Sequence, residues 1–249
     1  MKTGSLEAAT EAVNLGNRFQ VDEMVRRAWA WLLPPRCLLC GGAGSGGRDL
    51  CAACARELPR NEPCCPRCGL ALSTAAPLCG RCLKRLPAFE AACVPYRYAY
   101  PLDRVVSRFK FGSDLAAGAL LAALLGDALA ERGDGCDLIV PMPLSRTRTI
   151  ERGYNQALEL ARPVAKRLGI ELAPTGLART RETSPQTGLD RAERRRNVKG
   201  AFAASAAVRG HSVALVDDVV TTGATANAAA RALMRAGAKR VVVWAVARD

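Results

Sequence analysis

Four Cys-x-x-Cys pairs recur along the chain at a fixed interval: Cys37 and Cys40, Cys51 and Cys54, Cys65 and Cys68, Cys79 and Cys82, each pair starting 14 residues after the one before. An internal period of this kind marks a repeated small unit. The finer pattern doubles it, because "CLLCG" and "CPRCG" carry a glycine after the second cysteine whereas "CAACA" and "CGRCL" do not, so the repeat is a 28-residue unit of two knuckles. Four thiolates complete one tetrahedral Zn²⁺, and a two-residue gap lets both sulfurs of a knuckle reach the same ion at about 2.3 Å. Eight sulfurs imply two zincs. Adjacent knuckles close the shorter loops at lower entropic cost. That assigns Cys37, Cys40, Cys51 and Cys54 to one site and Cys65, Cys68, Cys79 and Cys82 to the other, with a cross-braced pairing as the alternative. Full four-sulfur sites leave no open coordination position, so both metals are expected to be structural. Cys64, Cys93 and Cys136 fall outside the period and read as buried or spare thiols. "GAGSGG", Gly42 to Gly47, has the glycine spacing of a dinucleotide site, but it lies between two knuckles and not between a strand and a helix; it reads as a flexible ribbon loop.

No stretch approaches the roughly 18 apolar residues of a bilayer span, and "MKTGSLEAATEAVNLGN" lacks the apolar centre of a signal peptide. A cytoplasmic protein without membrane insertion is expected, and in that reducing compartment paired thiols favour metal over disulfides. Lys and Arg number 36 against 23 Asp and Glu, a formal charge of +13. Eight thiolates against two Zn²⁺ subtract four charges and leave +9, and the excess sits in residues 94–249, where 24 basic residues face 15 acidic ones. Such a balance suggests phosphorylated ligands or polyanionic partners. His211 is the single histidine, which argues against histidine-based catalysis.

Four segments follow from this pattern. Residues 1–18 are polar and aperiodic and are expected to be poorly ordered; 19–35 hold a short amphipathic helix in "VDEMVRRAWAWLLPP", stopped by Pro34 and Pro35. Residues 36–93 carry the double ribbon and 94–249 a second domain. In the latter "VPYRYAY" alternates like a strand, and "LDRVVSRFKF" and "LAAGALLAALLGDALAERG" have helical apolar spacing. "CDLIVPMP" is a short buried strand, followed by a loop "LSRTRTIERGYNQ" and a helix "ALELARPVAKRLG" ending at Gly169. "RTRETSPQTGLDRAERRRNVKGAF", interrupted by Pro185 and Gly188, is expected to be a mobile loop leading into a short helix. "HSVALVDD" and "RVVVWAVAR" are continuous apolar strands around the helix "TANAAARALMRAGA", which Gly237 closes. The alternation predicts an α/β fold with a parallel sheet whose ligands bind at the carboxyl ends of the strands.

Asp217 and Asp218 then stand at the carboxyl end of a central strand, and Thr221, Thr222, Gly223, Ala224 and Thr225 turn into a helix N-terminus. Free backbone N–H groups and the positive end of the helix dipole favour a phosphate there. The hydroxyls of Thr222 and Thr225 add donors, and Gly223 lets the backbone approach closely. Carboxylates just upstream suit neighbouring hydroxyls or a metal. The combination describes a sugar phosphate.

The same stretch, "VALVDDVVTTGAT", resembles the phosphoribosyl pyrophosphate (PRPP) motif of type I phosphoribosyltransferases. The resemblance implies that the catalytic acids Asp217 and Asp218 contact the ribose 2′ and 3′ hydroxyls and that Thr221 to Thr225 hold the 5′-phosphate. Taken with "RFKFG", "VPMPLSRTRTIERGYNQ", "RTRETSPQTGLDRAERRRNVKGAF" and the multi-knuckle cysteine region, in this order, the chain resembles the ComF (GntX-like) family over residues 30–249. That implies a type I phosphoribosyltransferase-like sheet flanked by helices and preceded by a small double zinc ribbon. Arg146 and Arg148 would supply charge to the pyrophosphate, as bidentate guanidinium groups suit phosphate oxygens. Residues 179–199 would form the hood over the site, with Arg179, Arg181, Arg194, Arg195, Arg196 and Lys199 facing the departing pyrophosphate or DNA. Thr221 stands where oxopurine transferases carry an acid, and a hydroxyl is no base near neutral pH, which argues against hypoxanthine or guanine salvage.

Two functions are therefore expected. One is a Mg²⁺-dependent phosphoribosyltransferase with an unidentified acceptor, associated through the family with natural competence, DNA uptake and a helicase partner. The other is a non-catalytic PRPP or nucleotide sensor that binds single-stranded DNA through its ribbons and basic loops. Base stacking in the second case would depend on a small set such as Tyr96, Tyr98, Phe109, Phe111 and Tyr154.

Overall fold

The two-knuckle repeat has a three-dimensional counterpart in its turns, bridges and short helices. In a computed structural model, which describes residues 34–180 and 200–249 apart from the side chain of Arg146, the first ribbon turns through Cys37 N–H to Gly42 O and Gly41 N–H to Cys37 O, both 2.8 Å. The second does the same one repeat later, through Cys65 N–H to Leu70 O and Gly69 N–H to Cys65 O, again 2.8 Å. The bridge Arg36↔Ala43 is matched by Cys64↔Ala71, and helix α1 (Ala52–Arg56) by α2 (Gly80–Lys84). The glycine-rich stretch of the first ribbon is more tightly held than the expected flexible loop. Gly44 N–H donates to Pro35 O at 2.7 Å, Ser45 N–H to Leu50 O at 3.0 Å, and a Cβ on Gly44 would meet Arg48 O at 2.1 Å.

The chain divides into two compact units, residues 1–56 and 57–249. The second ribbon belongs to the same unit as the sheet. Asn61, 1% exposed, donates from Nδ2 to Gly69 O at 2.8 Å and to Val94 O at 2.9 Å, tying the ribbon to the chain that enters the sheet. Gly69 is packed so closely there that a Cβ would meet Val94 Cγ2 at 2.9 Å, and its φ of 68° is also one that glycine adopts without strain.

Beyond the ribbon run β1 (Ala91–Cys93), β2 (Tyr96–Arg97), α3 (Leu102–Phe111), α4 (Leu115–Arg132), β3 (Leu138–Pro141), α5 (Arg146–Arg152), α6 (Gln156–Leu168), β4 (Glu171–Leu172), β5 (Leu177–Arg179), β6 (Phe202–Ala204), β7 (Ser212–Val220), α7 (Ala224–Arg235) and β8 (Arg240–Arg248). Among the described residues the sheet has the order β1-β8-β7-β3-β4, with β2 also on β8, and every one of these pairings is parallel. Strands β5 and β6 form a separate antiparallel pair. Parallel strands need both faces covered. Val213, Leu215, Val241, Val243 and Ala245 share one cluster with Ala229, Ala230 and Leu233 of α7. The alternate residues Ala214, Val216, Val242 and Trp244 are buried on the other face, where α4 and α6 pack against β8 and β7. The indole N–H of Trp244 is satisfied by Asp134 Oδ2 at 2.9 Å.

Three sequence expectations change. "VPYRYAY" contributes only two strand residues, with β1 formed before it, because the chain turns at Pro101 into α3. The loop expected over "LSRTRTIERGYNQ" contains helix α5: the Ser145 hydroxyl caps it by accepting from Arg148 N–H at 3.4 Å, and Gly153 ends it in the left-handed conformation. Strand β7 does not stop at the aspartates but continues through Val220. The expected N-terminal helix as far as residue 33 lies outside the described residues, as do the basic segment 181–199 and the short helix expected there.

Replacing Asn61 with Ala leaves two buried carbonyls without donors. We expect a loss of about 1–3 kcal/mol in urea denaturation, whereas exposed Arg85→Ala changes stability by less than about 0.5 kcal/mol.

Candidate functional site

Both cysteine tetrads close sequentially: Cys37, Cys40, Cys51 and Cys54 have their four sulfurs within 4.8 Å of one another, and so do Cys65, Cys68, Cys79 and Cys82. The spacing identifies the chemistry. Four ligands about 2.3 Å from a tetrahedral centre lie about 3.8 Å apart, and Cys40 Sγ is 3.8 Å from Cys51 Sγ while Cys68 Sγ is 3.6 Å from Cys79 Sγ. A disulfide requires about 2.05 Å. Backbone N–H groups of Cys54 and Cys79 point at Cys51 Sγ (3.4 Å) and Cys65 Sγ (3.3 Å), an arrangement that favours thiolates. The donor sets fit two structural Zn²⁺ with no position left for a substrate. Cys93 and Cys136 are buried and Cys64 half-buried, apart from both sets.

The second candidate site is a cleft of about 980 Å³ at the carboxyl ends of β3, β7 and β8. Strand β3 ends at Pro141, opposite Val216, whereas β7 stays paired with β8 as far as Val220↔Arg248. Residues 217–220 therefore project beyond their neighbour, and both Asp217 and Asp218 line the opening although successive strand residues alternate faces. The exit of β7 is fixed by Arg248, 4% exposed, whose Nη1 donates to Val220 O at 2.8 Å, and by the Asp249 N–H, which donates to the same carbonyl at 3.0 Å. Gly223 then takes φ 76° and ψ 3° as the cap of α7. The nearest protein atom to a Cβ there would be Val220 Cγ1 at 4.0 Å, so within the protein it is the left-handed backbone that selects glycine.

Asp217, Asp218, Thr221, Gly223, Thr225, Arg148 and Arg179 all line the cleft. Thr222 and Ala224 do not: the Thr222 hydroxyl accepts from Ala224 N–H at 3.3 Å and closes the turn on itself. Arg146 is the first residue of α5, and Arg181, Arg194, Arg195, Arg196 and Lys199 lie outside the described residues. Lys110 joins the site without having been assigned a role from sequence. Its Nζ is 3.1 Å from Asp218 Oδ1, with the lysine side chain 19% exposed and that of the acid 12%. The signal was its place in "RFKFG", and only the tertiary fold, which brings the end of α3 to Asp218, showed what it meets. Gln156 and Arg152 are further additions to the lining.

The two acids are held differently. Asp218 Oδ1 accepts from Val219 N–H at 2.5 Å as well as from Lys110, and Asp217 Oδ1 accepts from Asp218 N–H at 3.0 Å. Burial, reinforced by the neighbouring Asp218 carboxylate, pushes the Asp217 pKa from 3.8 up to about 7, against the opposing pull of Lys110, the Asp218 N–H and Arg148. The cleft thus pairs adjacent carboxylates with Lys110, Arg148 and a threonine-glycine turn at a helix start. Such a surface can hold hydroxyls and phosphate oxygens at once.

Residues 28–83 match the double zinc ribbon domain family and residues 154–249 the phosphoribosyl transferase domain family. The chain is 37% identical over 156 residues to DNA utilization protein YhgH of Escherichia coli, covering 61% of this chain and 69% of that protein. It is 36% identical over 159 residues to competence protein F of Haemophilus influenzae, with the same coverage of 61% and 69%. Among solved structures, glutamine PRPP amidotransferase from Bacillus subtilis aligns with a TM-score of 0.38 at 22% identity, over 55% of this chain and 30% of the amidotransferase, so the chain spans under a third of that enzyme.

Two outcomes follow from this geometry. Metal analysis of protein purified without chelator should give two zinc per chain, and Cys65→Ser with Cys68→Ser should leave one and unfold the second ribbon, because its folding energy is linked to the metal. The raised pKa of Asp217 means that the folded state holds its proton more tightly than the unfolded state does. That stability is fully present below about pH 3.8 and is lost as pH rises through about 7. Asp217→Asn abolishes this titration, so between pH 5 and pH 8 the variant should gain about 1–3 kcal/mol relative to wild type in urea denaturation.

Proposed function

The chain belongs to the ComF family, and on that premise we propose that its cleft is a PRPP site at which an acceptor displaces pyrophosphate from C1′ of the ribose. The observation that carries this is the meeting of Asp217, Asp218 and the Thr221–Thr225 turn in one cleft with Lys110 and Arg148. In this reading the carboxylates accept from the ribose 2′ and 3′ hydroxyls while backbone N–H groups at the start of α7 hold the 5′-phosphate. The acceptor's electron pair forms the new bond to C1′ as the C1′–O bond breaks, and pyrophosphate leaves with that bonding pair. The transition state carries positive charge on the ribose, which the acids stabilise by position and charge, and growing negative charge on the leaving group, which Arg148 and Arg146 meet. Mg²⁺ bound with the substrate would supply further charge neutralisation to the pyrophosphate. Thr221 provides no base, so the acceptor either needs no deprotonation or brings its own proton acceptor.

DNA uptake is the setting we propose for this chemistry, supported by the names of the relatives, which speak of DNA utilization and competence. The basic segment from Arg179 to Lys199 is the proposed contact for single-stranded DNA or for the leaving pyrophosphate, and a competence helicase the proposed partner. The zinc ribbons are structural and take no part in the displacement. Among the described residues no helix is long and apolar enough to cross a membrane.

Isothermal titration with PRPP and Mg²⁺ tests the site. Asp217→Ala combined with Asp218→Ala should weaken binding about 100-fold or more, since each charge-assisted hydrogen bond lost is worth about 1.5–3 kcal/mol. Circular dichroism should stay that of the folded protein. Unchanged affinity in the folded double variant would remove the PRPP reading, and a pyrophosphate-release assay across nucleobases, amines and DNA separates turnover from binding alone.

A further inference from the structure

The peptide group between Pro87 and Ala88 is held at both ends. Its carbonyl accepts from Nη2 of Arg67 at 3.3 Å, and its N–H donates to Oδ1 of Asn227 at 2.7 Å. Arg67 lies inside the third Cys-x-x-Cys pair, between the ligands Cys65 and Cys68. Asn227 lies in the first turn of α7, and its own N–H donates to Gly223 O at 2.9 Å, closing that turn. One peptide group therefore joins the second metal tetrad to the segment that carries Thr221 to Thr225. Asparagine favours a helix less than alanine does, and Asn227 stands among alanines in "TANAAARA". The bond to Ala88, 139 residues away along the chain, gives that side chain its role.

A second connection runs through Arg248. This buried residue, whose Nη1 donates to Val220 O at 2.8 Å, fixes the point from which the turn starts. Its Nε is buried as well and has no hydrogen-bond partner among the described residues. Burial lowers the Arg248 pKa, and the sulfurs of Cys68 and Cys79 oppose that shift, so the tetrad lies within electrostatic reach of the guanidinium. Cys68 also packs against the core cluster that contains Val220 and Ala226. Zinc binding requires deprotonated sulfurs, and four thiolates around one Zn²⁺ keep a net negative charge; an emptied site takes up protons and loses it. Metal in the second ribbon thus bears on both ends of the turn: on its start through the charge facing Arg248, and on its far end through Arg67, the Pro87–Ala88 peptide and Asn227. Arg67, Asn227 and Arg248 do not line the cleft, so whatever they do to a ligand there passes through the fold.

We propose that the second zinc tetrad holds the phosphate turn in its ligand-binding form, with Arg67, Asn227 and Arg248 as positioning residues, so that zinc occupancy and affinity for the phosphorylated ligand rise and fall together. This rests on the PRPP reading of the cleft, which it extends by giving the second ribbon a share in regulating that site. Coupling between two sites is reciprocal and can be measured from either one.

The full-length protein carrying two zincs is titrated to equilibrium with a chromogenic chelator, with and without PRPP, Mg²⁺ being in excess so that the ligand itself draws no zinc. PRPP should raise the chelator concentration that half-removes one of the two zincs by about fivefold or more. Arg67→Ala and Asn227→Ala should each abolish this shift and weaken calorimetric PRPP binding by about fivefold or more. The double variant should bind no more weakly than either single one, because both cut the same connection. Asn227→Asp keeps an oxygen for the Ala88 N–H and should keep the zinc shift, whatever its charge does to PRPP affinity. A merely local loss of stability produces neither the shared limit nor this rescue. Wild-type protein that fails to bind PRPP overturns the reading of the cleft and this coupling with it. The coupling alone is overturned if wild type binds PRPP without moving the zinc midpoint, if Arg67→Ala keeps wild-type PRPP affinity, or if Asn227→Asp behaves like Asn227→Ala in the zinc titration.

Discussion

Strands β7 and β8 pair in one constant register from Ser212↔Arg240 to Val220↔Arg248, interrupted at Asp218, and the site depends on the fact that β3 does not keep pace with them. Its pairing to β7 ends at Pro141↔Val216. Beyond Val216 the strand is paired on one side only, through Asp217, Val219 and Val220, while Asp218 is left out of the ladder, and both successive acids line one cleft. The support is backbone hydrogen bonding to β8, reinforced at the end by the buried Arg248 on Val220 O. Because the strand is held to its last residue, the threonine-glycine turn starts from a fixed point, and α7 starts where the left-handed Gly223 places it.

The two ribbons show how one local rule can serve two structural ends. Their turns, bridges and short helices recur at the period of the two-knuckle unit, since knuckle geometry is dictated by four sulfurs around a single ion. Their settings differ through residues that are not ligands. Asn61 and Gly69 lock the second ribbon to the chain around Val94, inside the unit that contains the sheet. In the first ribbon the position equivalent to Gly69 is Gly41, where an added Cβ would meet nothing within 4 Å.

Charge in the cleft is divided as well as gathered. Asp218 is neutralised by Lys110 and by Val219 N–H, whereas Asp217 keeps a carboxyl whose ionisation burial and its neighbour oppose. Two side chains that look equivalent in "VDDVV" are thereby held by different partners. A hydroxyl-bearing ligand that displaces water from Asp217 meets an acceptor already short of solvation, the condition under which hydrogen bonds to it are strongest.

The sequence by itself determined whatever depends on local spacing. Cysteine pairs recurring at a constant short period specify knuckles, the apolar runs "SVALV" and "VVVWAV" specify buried parallel strands, and "TTGAT" after two aspartates specifies a polar turn into a helix. Capping explains why α6 and α7 were legible and α5 was not: Gly169 and Gly237 close apolar-periodic stretches, while "RTRTIER" lacks an apolar face and is held by Ser145 and Gly153 at its ends. Only the tertiary structure decided how far β7 runs, because strand length is set by the neighbour that continues to pair, and β8 lies beyond the whole of α7 along the chain. The same holds for Lys110 against Asp218, which come from elements remote from each other in the chain, and for Phe111 facing Arg152 at the cleft mouth. Contacts between residues so distant in sequence leave no period in it; they arise when burying the core faces of α3 and β7 brings the remaining side chains of both elements to one edge of the sheet.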